Sequence, residues 1–267
     1  MVVVGDVMVD VVAAHDAPLA PGSDTAARIS LRGGGAAANV AAWLAHAGVP
    51  VTLVGRVGDD ALADVALAGL GGVELRVARD PERPTGTCVV LVGPDGERTM
   101  LPDPGANDAF APAALPRGDA LHLSAYSLLR AGSRPGALAA LEQARAGGMR
   151  ISLDAASAAP LAAEPRLAEW VGEVDLLLAN ADEAPHTRAI AARERVVKRG
   201  AAGAEWSDGT RAVTVAAVPA RAVDTTGAGD AFAAGFLSAW PGPPEAALAT
   251  GCRLAAEAVT RPGARPP

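Results

Sequence analysis

Asp224-Thr225-Thr226-Gly227-Ala228-Gly229-Asp230-Ala231-Phe232 runs without a break into an alanine-rich stretch of helical length. Two glycines, Gly227 and Gly229, allow the backbone to turn tightly and bring the amides of Gly227, Ala228 and Gly229 to the start of a helix, where the dipole is positive. Such a turn is an anion hole suited to a phosphoryl group. Asp230, in the first helical turn, lies within reach of a hydroxyl approaching that phosphate and is suited to accept its proton. The plainer alternative is an ordinary helix start, with Asp230 favoured by the dipole alone.

Outward from this stretch, short apolar or β-branched runs at 2–4, 51–54, 121–123, 151–153, 175–178 and 196–197 alternate with Ala-rich segments. The latter predict helices over 36–47, 61–70, 135–146, 228–239 and 245–259. Strand and helix in repetition mean an α/β fold, a mostly parallel sheet with helices on both faces, in which ligands gather at the carboxyl ends of the strands. Two segments break the rhythm, 11–32 and 85–101. Within the second, 87–92 and 98–101 flank Gly93-Pro94-Asp95-Gly96 and predict a β-hairpin, part of a small sheet that covers the site as a lid. The tail 261–267 is expected to be frayed.

Composition narrows the function classes. The 267 residues are 50% hydrophobic, with 23 basic and 30 acidic side chains and a formal charge of −7. A single globular domain spanning 1–267 is expected. Alanine far outnumbers the four Trp, three Phe and one Tyr, so helices should pack closely. Net acidity without a basic run argues against nucleic acid or an anionic membrane as partner. No apolar run reaches the ~18 residues that a membrane helix needs. The start, broken by Asp6 and Asp10 and without a basic region, does not read as a secretion signal. Cys88 and Cys252 suggest neither a disulfide framework nor a zinc site and fit a reducing cytoplasm. His15, His46, His122 and His186 show no ligand spacing and are read as structural or exposed.

The Asp224–Phe232 string resembles the C-terminal signature of the ribokinase-like (PfkB) carbohydrate kinases, and the likeness extends over nearly the whole chain. Gly5-Asp6-Val7-Met8-Val9-Asp10 resembles the family's first strand and turn, which implies that Asp10 binds sugar hydroxyls. Gly33-Gly34-Gly35-Ala36-Ala37-Ala38-Asn39 is similar to its glycine-rich segment and implies that Gly34, Gly35 and Asn39 contact the acceptor. Val57-Gly58-Asp59-Asp60 and Pro104-Gly105-Ala106-Asn107 match weaker family segments. Asn180-Ala181-Asp182-Glu183 matches the family's Asn-x-x-Glu motif, implying that Asn180 and Glu183 hold magnesium and phosphate, largely through water. Lys198-Arg199-Gly200-Ala201-Ala202-Gly203 resembles the segment that approaches the nucleotide, so Lys198, Gly200, Gly203 and Thr225 are assigned to it; Lys198 is the only lysine. Val259-Thr260-Arg261-Pro262-Gly263-Ala264 is similar to the last family motif, beside a monovalent-cation loop where Asp224 and Thr226 would bind potassium.

The resemblance implies a three-layer sandwich with a small β lid, and in-line transfer of the ATP γ-phosphoryl group to a primary hydroxyl. Asp230 would act as base, the Gly227, Ala228 and Gly229 amides as charge stabilisers, with Mg2+ as cofactor and the need for K+ left open. A homodimer through the lid strands is the family-based expectation. Departures from the family bear on the acceptor. Met8 stands where ribokinases carry Asn, Ala36 where they carry Lys, and the glutamate after the central strand is missing from Leu121-His122-Leu123-Ser124-Ala125-Tyr126. A ribose-like sugar, a keto sugar and a nucleoside all remain as acceptors. The segment 184–194 has room for only a truncated helix, which leaves open a regulator that binds sugar or nucleotide without turnover. A remote alternative is an NAD(P)-dependent oxidoreductase, because Gly33-x-Gly35-x-x-Ala38 opens a helix and Asp59 or Asp60 lies about 20 residues on. That reading leaves the Asp224–Phe232 string unexplained. No G-x-x-x-x-G-K-[ST] motif occurs.

Overall fold

A computed structural model describes residues 1–95 and 97–267. The first half of the chain forms β1 (Val2–Val4), β2 (Met8–His15), β3 (Ala27–Gly34), α1 (Ala36–His46), β4 (Val51–Gly58), α2 (Ala61–Leu67), β5 (Val73–Asp80), β6 (Gly86–Val92) and β7 (Arg98–Asp103). There follow β8 (Ala120–Ser124), α3 (Tyr126–Leu129), α4 (Arg134–Ala146), β9 (Arg150–Asp154), α5 (Ala158–Ala163), α6 (Leu167–Val171) and β10 (Val174–Asn180). The remainder is β11 (Ala192–Lys198), β12 (Ala204–Ser207), β13 (Ala212–Val215), α7 (Ala228–Ala239) and α8 (Pro244–Val259).

Nine strands make the large sheet in the order β13-β12-β11-β10-β9-β8-β1-β4-β5. Every neighbouring pair from β11 to β5 is parallel, and β12 and β13 extend that edge antiparallel. Parallel strands need covered faces, and each face has its own core. Trp43, Leu44, Phe236 and Leu248 of α1, α7 and α8 fill one; Leu128, Leu141, Leu161 and Val171 of α3 to α6 fill the other. The sandwich is therefore three-layered. The second sheet, β3-β2-β6-β7, draws its strands from the two segments that break the α/β rhythm. Its β2 begins at Met8 rather than 11, so that Asp10 lies within a strand. The hairpin expected around 93–96 joins β6 to β7, and Gly96 lies outside the described residues.

Differences from the sequence expectations have local causes. The edge strand β5 alternates Val73, Leu75 and Val77 with charged residues, and β12 and β13 have only four residues each, so none forms an apolar run. Helix α2 stops at Leu67 rather than 70, ahead of Gly69 at φ +75°. Between Glu183 and Val196 there is a single 3-10 turn, Ala184–Thr187, before β11 begins. The tail is not frayed: Trp43 Nε1 donates to Ala264 O at 2.8 Å and Ala264 is buried. A buried indole N–H needs an acceptor, and the tail supplies it. The dinucleotide-binding alternative does not match this topology. Strand β3 ahead of the glycines pairs antiparallel with β2 in the small sheet, so the glycine turn is not part of a parallel βαβ unit.

Small residues bring α7 and α8 together, and a Cβ on Gly235 would stand 2.7 Å from Thr250 O and 2.9 Å from Gly251 Cα. Helix propensity alone favours alanine there by about 1 kcal/mol. Overpacking against backbone costs about 1–3 kcal/mol, and backbone yields less than a side chain. Gly235→Ala is therefore expected to lower unfolding stability in urea, and an unchanged or raised midpoint would refute this packing argument.

Candidate active site

The carboxyl ends of β8, β9, β10 and β11 end at Ser124, Asp154, Asn180 and Lys198, and β1 is followed by Asp6. Polar groups from separate parts of the chain are thus collected along one rim of the sheet. Facing this rim, α7 starts at Gly227, whose φ of +73° is a left-handed conformation that favours glycine. Ala264 of the tail packs behind this residue, since a Cβ on Gly227 would lie 2.6 Å from Ala264 Cα. The Ala228 amide turns back to Thr225 O at 3.3 Å. The next amides, of Gly229 and Asp230, belong to the first turn, which a helix leaves without internal acceptors.

Two cavities flank this turn. The larger, about 790 Å³, is bordered by Asp10, Gly35, Asn39, Thr226, Gly227 and Asp230, among others. The smaller, about 570 Å³, is bordered by Lys198, Gly200, Gly203, Thr225, Ala228 and Gly229, among others. Of the residues assigned by resemblance, Asp10, Gly35 and Asn39 border the first space and Lys198, Gly200, Gly203 and Thr225 the second, and the two meet at Gly227–Asp230; Gly34 and Asn180 border neither.

In the larger cavity, Asp10 extends from β2 beneath the glycine segment. A Cβ on Gly34 would fall 2.4 Å from Asp10 Oδ1, so glycine there gives the carboxylate its room. Burial raises the Asp10 pKa to about 6, with the charge of Arg265 opposing the rise and that of Asp224 adding to it. Asn39, buried in α1, donates from Nδ2 to Asp230 Oδ2 at 2.8 Å. Asp230 is open to the cavity on one side, and the protein packed around it elsewhere raises its pKa to about 7. The Asn39 hydrogen bond and Lys198 oppose that rise, while Asp154 and Asp10 add to it.

Lys198 lies opposite Asn180 in the β10–β11 register. Its Nζ donates to Asp154 Oδ2 at 2.9 Å and would be 3.6 Å from a Cβ on Gly229, which puts a half-buried ammonium beside the Gly227–Asp230 turn. Asn180 and Glu183 bind each other: Glu183 accepts from Asn180 N at 2.8 Å and Nδ2 at 2.7 Å, and Asn180 Oδ1 accepts from the Glu183 amide at 2.9 Å. Burial pushes the Glu183 pKa up to about 7, with Lys198 opposing. Asp224 and Thr226 are also joined, Thr226 N donating to Asp224 Oδ1 at 2.9 Å. Arg98 of β7 donates to the same Oδ1 at 2.8 Å and to Thr226 Oγ1 at 2.5 Å. No cluster of three or more His, Cys, Asp or Glu suited to a metal occurs among the described residues. His122 is a core residue bonded to Ser152 at 2.8 Å.

Several site residues carried no clear sequence signal. Asp154 follows a predicted strand, and the rule that ligands gather at strand ends was the one pointer to it. Tyr126, bonded to Ser157, and Arg130, ion-paired with buried Asp6, border the larger cavity from α3 and the turn after it. Arg98 and Arg265 reach the site from segments read as lid and frayed tail, where surface charge is the ordinary expectation.

Comparison with known proteins agrees with this geometry. The family model for pfkB family carbohydrate kinases matches residues 1–267. An ATP-dependent ribose-1-phosphate kinase of Halopiger xanaduensis is 34% identical over 253 residues, 87% of this chain and 82% of that protein. A fructokinase of Klebsiella pneumoniae is 31% identical over 232 residues, 77% of this chain and 76% of its own. The crystal structure of a probable sugar kinase from Rhizobium etli superposes with a TM-score of 0.87 at 23% identity, covering 99% of this chain and 94% of that one. The chain belongs to the pfkB family of carbohydrate kinases: it is an ATP-dependent phosphotransferase with a sugar hydroxyl as acceptor.

Proposed function

We propose that a small sugar binds in the larger cavity, that ATP binds in the smaller, and that the γ-phosphoryl group crosses the Gly227–Asp230 turn to a primary hydroxyl. The position of that turn between the two cavities carries the reading. Asp10, Gly34, Gly35 and Asn39 hold the acceptor, and Asp230 takes the hydroxyl proton. Amides at Gly227 and Gly229, the α7 dipole and Lys198 stabilise the charge on the migrating group, and Ala228 completes the turn. Gly200, Gly203 and Thr225 border the nucleotide. The four-stranded sheet acts as the lid of a single domain and excludes water, with Arg98 linking it to Asp224.

Glu183 fits a hydrated Mg2+ ion: its carboxylate is held by Asn180 amides, and no cation pairs with it at salt-bridge distance among the described residues. Asn180 orients it, and when bound with nucleotide the ion offsets phosphate charge. Asp224 and Thr226 fit K+ less well, since the Arg98 guanidinium already supplies a positive charge to Asp224 Oδ1 while Gly263 N donates to Oδ2 at 2.9 Å. Two buried free thiols, Cys88 and Cys252, support a cytoplasmic setting. Among the described residues no helix is long and apolar enough to cross a membrane.

Ribose-like and keto sugars lead as acceptors, with nucleosides as the alternative. A phosphorylated sugar is a further candidate, because the Arg130 guanidinium, ion-paired with Asp6, borders the acceptor cavity. The ribose-1-phosphate kinase relative agrees in kind. A panel of ribose, fructose, ribose 1-phosphate and adenosine, read by ADP release, tests the assignment. Asp230→Asn is expected to lower kcat on the best acceptor by roughly 10²–10⁴-fold with ATP affinity nearly unchanged. Retained turnover would remove Asp230 as the base.

The sign of the pH response follows from the raised pKa of Asp230. Below about pH 7 the free enzyme holds this carboxyl protonated, unable to accept the hydroxyl proton, so kcat/KM for the acceptor should rise through that region. A profile flat from pH 5 to 8 would contradict it.

We also propose a homodimer through the outward face of the lid. Leu31, Val11, Val89 and Leu101 lie in one row across its four strands, and Leu31 and Leu101 are 50% and 52% exposed. An apolar row of this kind marks a contact surface, and a second copy presents the matching one. Light scattering should give twice the 26.6 kDa chain mass, and Leu31→Arg with Leu101→Arg should give a monomer. A monomeric parent overturns this assignment.

A further inference from the structure

The chain's last residues reach both halves of the site. Ala264 lies behind Gly227, and the next residue, Arg265, inserts its side chain beneath the glycine segment. Arg265 Nη1 donates to Ala66 O at 2.8 Å and to Ala68 O at 2.5 Å, and Nη2 donates to Gly34 O at 2.8 Å. Nε faces Asn39 Oδ1 at 3.3 Å. Glycine at position 33 is what admits the guanidinium, because a Cβ there would stand 2.3 Å from Nη1.

The chemistry of an amide gives this contact its consequence. The two ends of Asn39 have nearly the same shape, but one accepts and the other donates. A guanidinium only donates, so Arg265 turns Oδ1 toward itself and leaves Nδ2 for Asp230. With the amide reversed, a carbonyl oxygen would face the ionised carboxylate and repel it.

We propose that Arg265 is a positioning residue for phosphoryl transfer: it fixes the Asn39 amide so that Nδ2 holds the Asp230 carboxylate oriented toward the acceptor hydroxyl. The inference rests on Asp230 being the proton acceptor. Charge acts in the same direction. Asp230 is faced by Asn39 of α1, Asp10 of β2, Tyr126 of α3, Asp154 of β9, Lys198 of β11 and Arg265 of the tail. Burial lowers the Arg265 pKa to about 10, which still leaves it positive at neutral pH, and Asp10 and Asp230 favour that charge. Removing the charge makes both carboxyls hold their protons more tightly.

Arg265→Gln and Arg265→Lys, each checked by thermal melting, test the assignment in the full-length protein. For Arg265→Gln, kcat should fall by roughly ten- to a hundredfold, as for a misplaced reacting group, with the KM for ATP within about twofold of the parent. The acid limb of its kcat/KM profile should move up by roughly half to one pH unit. Arg265→Lys keeps the charge without the fork, so its acid limb should stay in place while kcat still falls. In an Asn39→Ala background both losses should largely vanish, because residues that act through one another are not additive. Parental kcat and pH profile in Arg265→Gln would overturn the proposal, as would losses of equal size with and without Asn39. If Arg265→Gln does not fold, the Arg265→Lys comparison in the two backgrounds decides alone. Turnover retained by Asp230→Asn sinks the assignment of the base; loss of turnover there with silent Arg265 variants sinks only the role of Arg265.

Discussion

Crowding of carboxylates around one positive helix end is the constraint on which the rest of the site depends. Asp154 and Asp10 act on Asp230, Asp154 also acts on Glu183, and like charges in a partly dry space oppose ionisation. Each has a different compensation. Asp154 has the Lys198 ammonium, Glu183 has the Asn180 amides, and Asp230 has Asn39. Asp10 and Asp230 also share the more distant charge of Arg265. Such an arrangement brings the Asp230 pKa to about 7, a value suited to the proton acceptor proposed for this position.

The compensating groups come from elements far apart in sequence. Arg98 crosses from the lid to Asp224, Arg130 leaves the turn after α3 for Asp6, and Arg265 returns from the end of the chain to α1. The parallel sheet makes this economical, because several strand ends open on the same rim while the helices of both faces stay packed in their own cores. The four-stranded sheet and the tail reach that rim from different parts of the chain. The charge balance of the site is thus a product of the whole fold, which explains how one short turn at α7 can combine a close amide cluster with a half-buried carboxyl of raised pKa.

Much of this was legible in residue order. Gly227 and Gly229 ahead of an Ala-rich helix specify a turn with free amides, and α7 spans the expected 228–239. The alternation of apolar runs and helical segments specified the parallel sheet, and the Asp95-Gly96 pair in the sequence between 87–92 and 98–101 pointed to the pairing of β6 with β7. Less legible were elements whose residues look ordinary in isolation. In β5 the charged Glu74, Arg76 and Arg79 are exposed at an edge, and in β12 and β13 the strands are too short for a pattern to repeat. Asp154 could be suspected from its place at a strand end, but Tyr126 and Arg130 had no pattern to mark them.

Local chemistry therefore settled which residue types gather at the Gly227–Asp230 turn, because turn geometry, helix polarity and strand period act over a few neighbouring residues. Tertiary structure alone decided how those groups are oriented and charged. The direction in which Asn39 points its amide, the protonation of Asp230 and the docking of a Pro- and Arg-rich tail depend on contacts between residues about 190 to 230 positions apart, Asn39 with Asp230 and Arg265 with Asn39 and Gly34. Electrostatic energy depends on distance and burial in three dimensions, and neither is encoded in the spacing of residues along the chain.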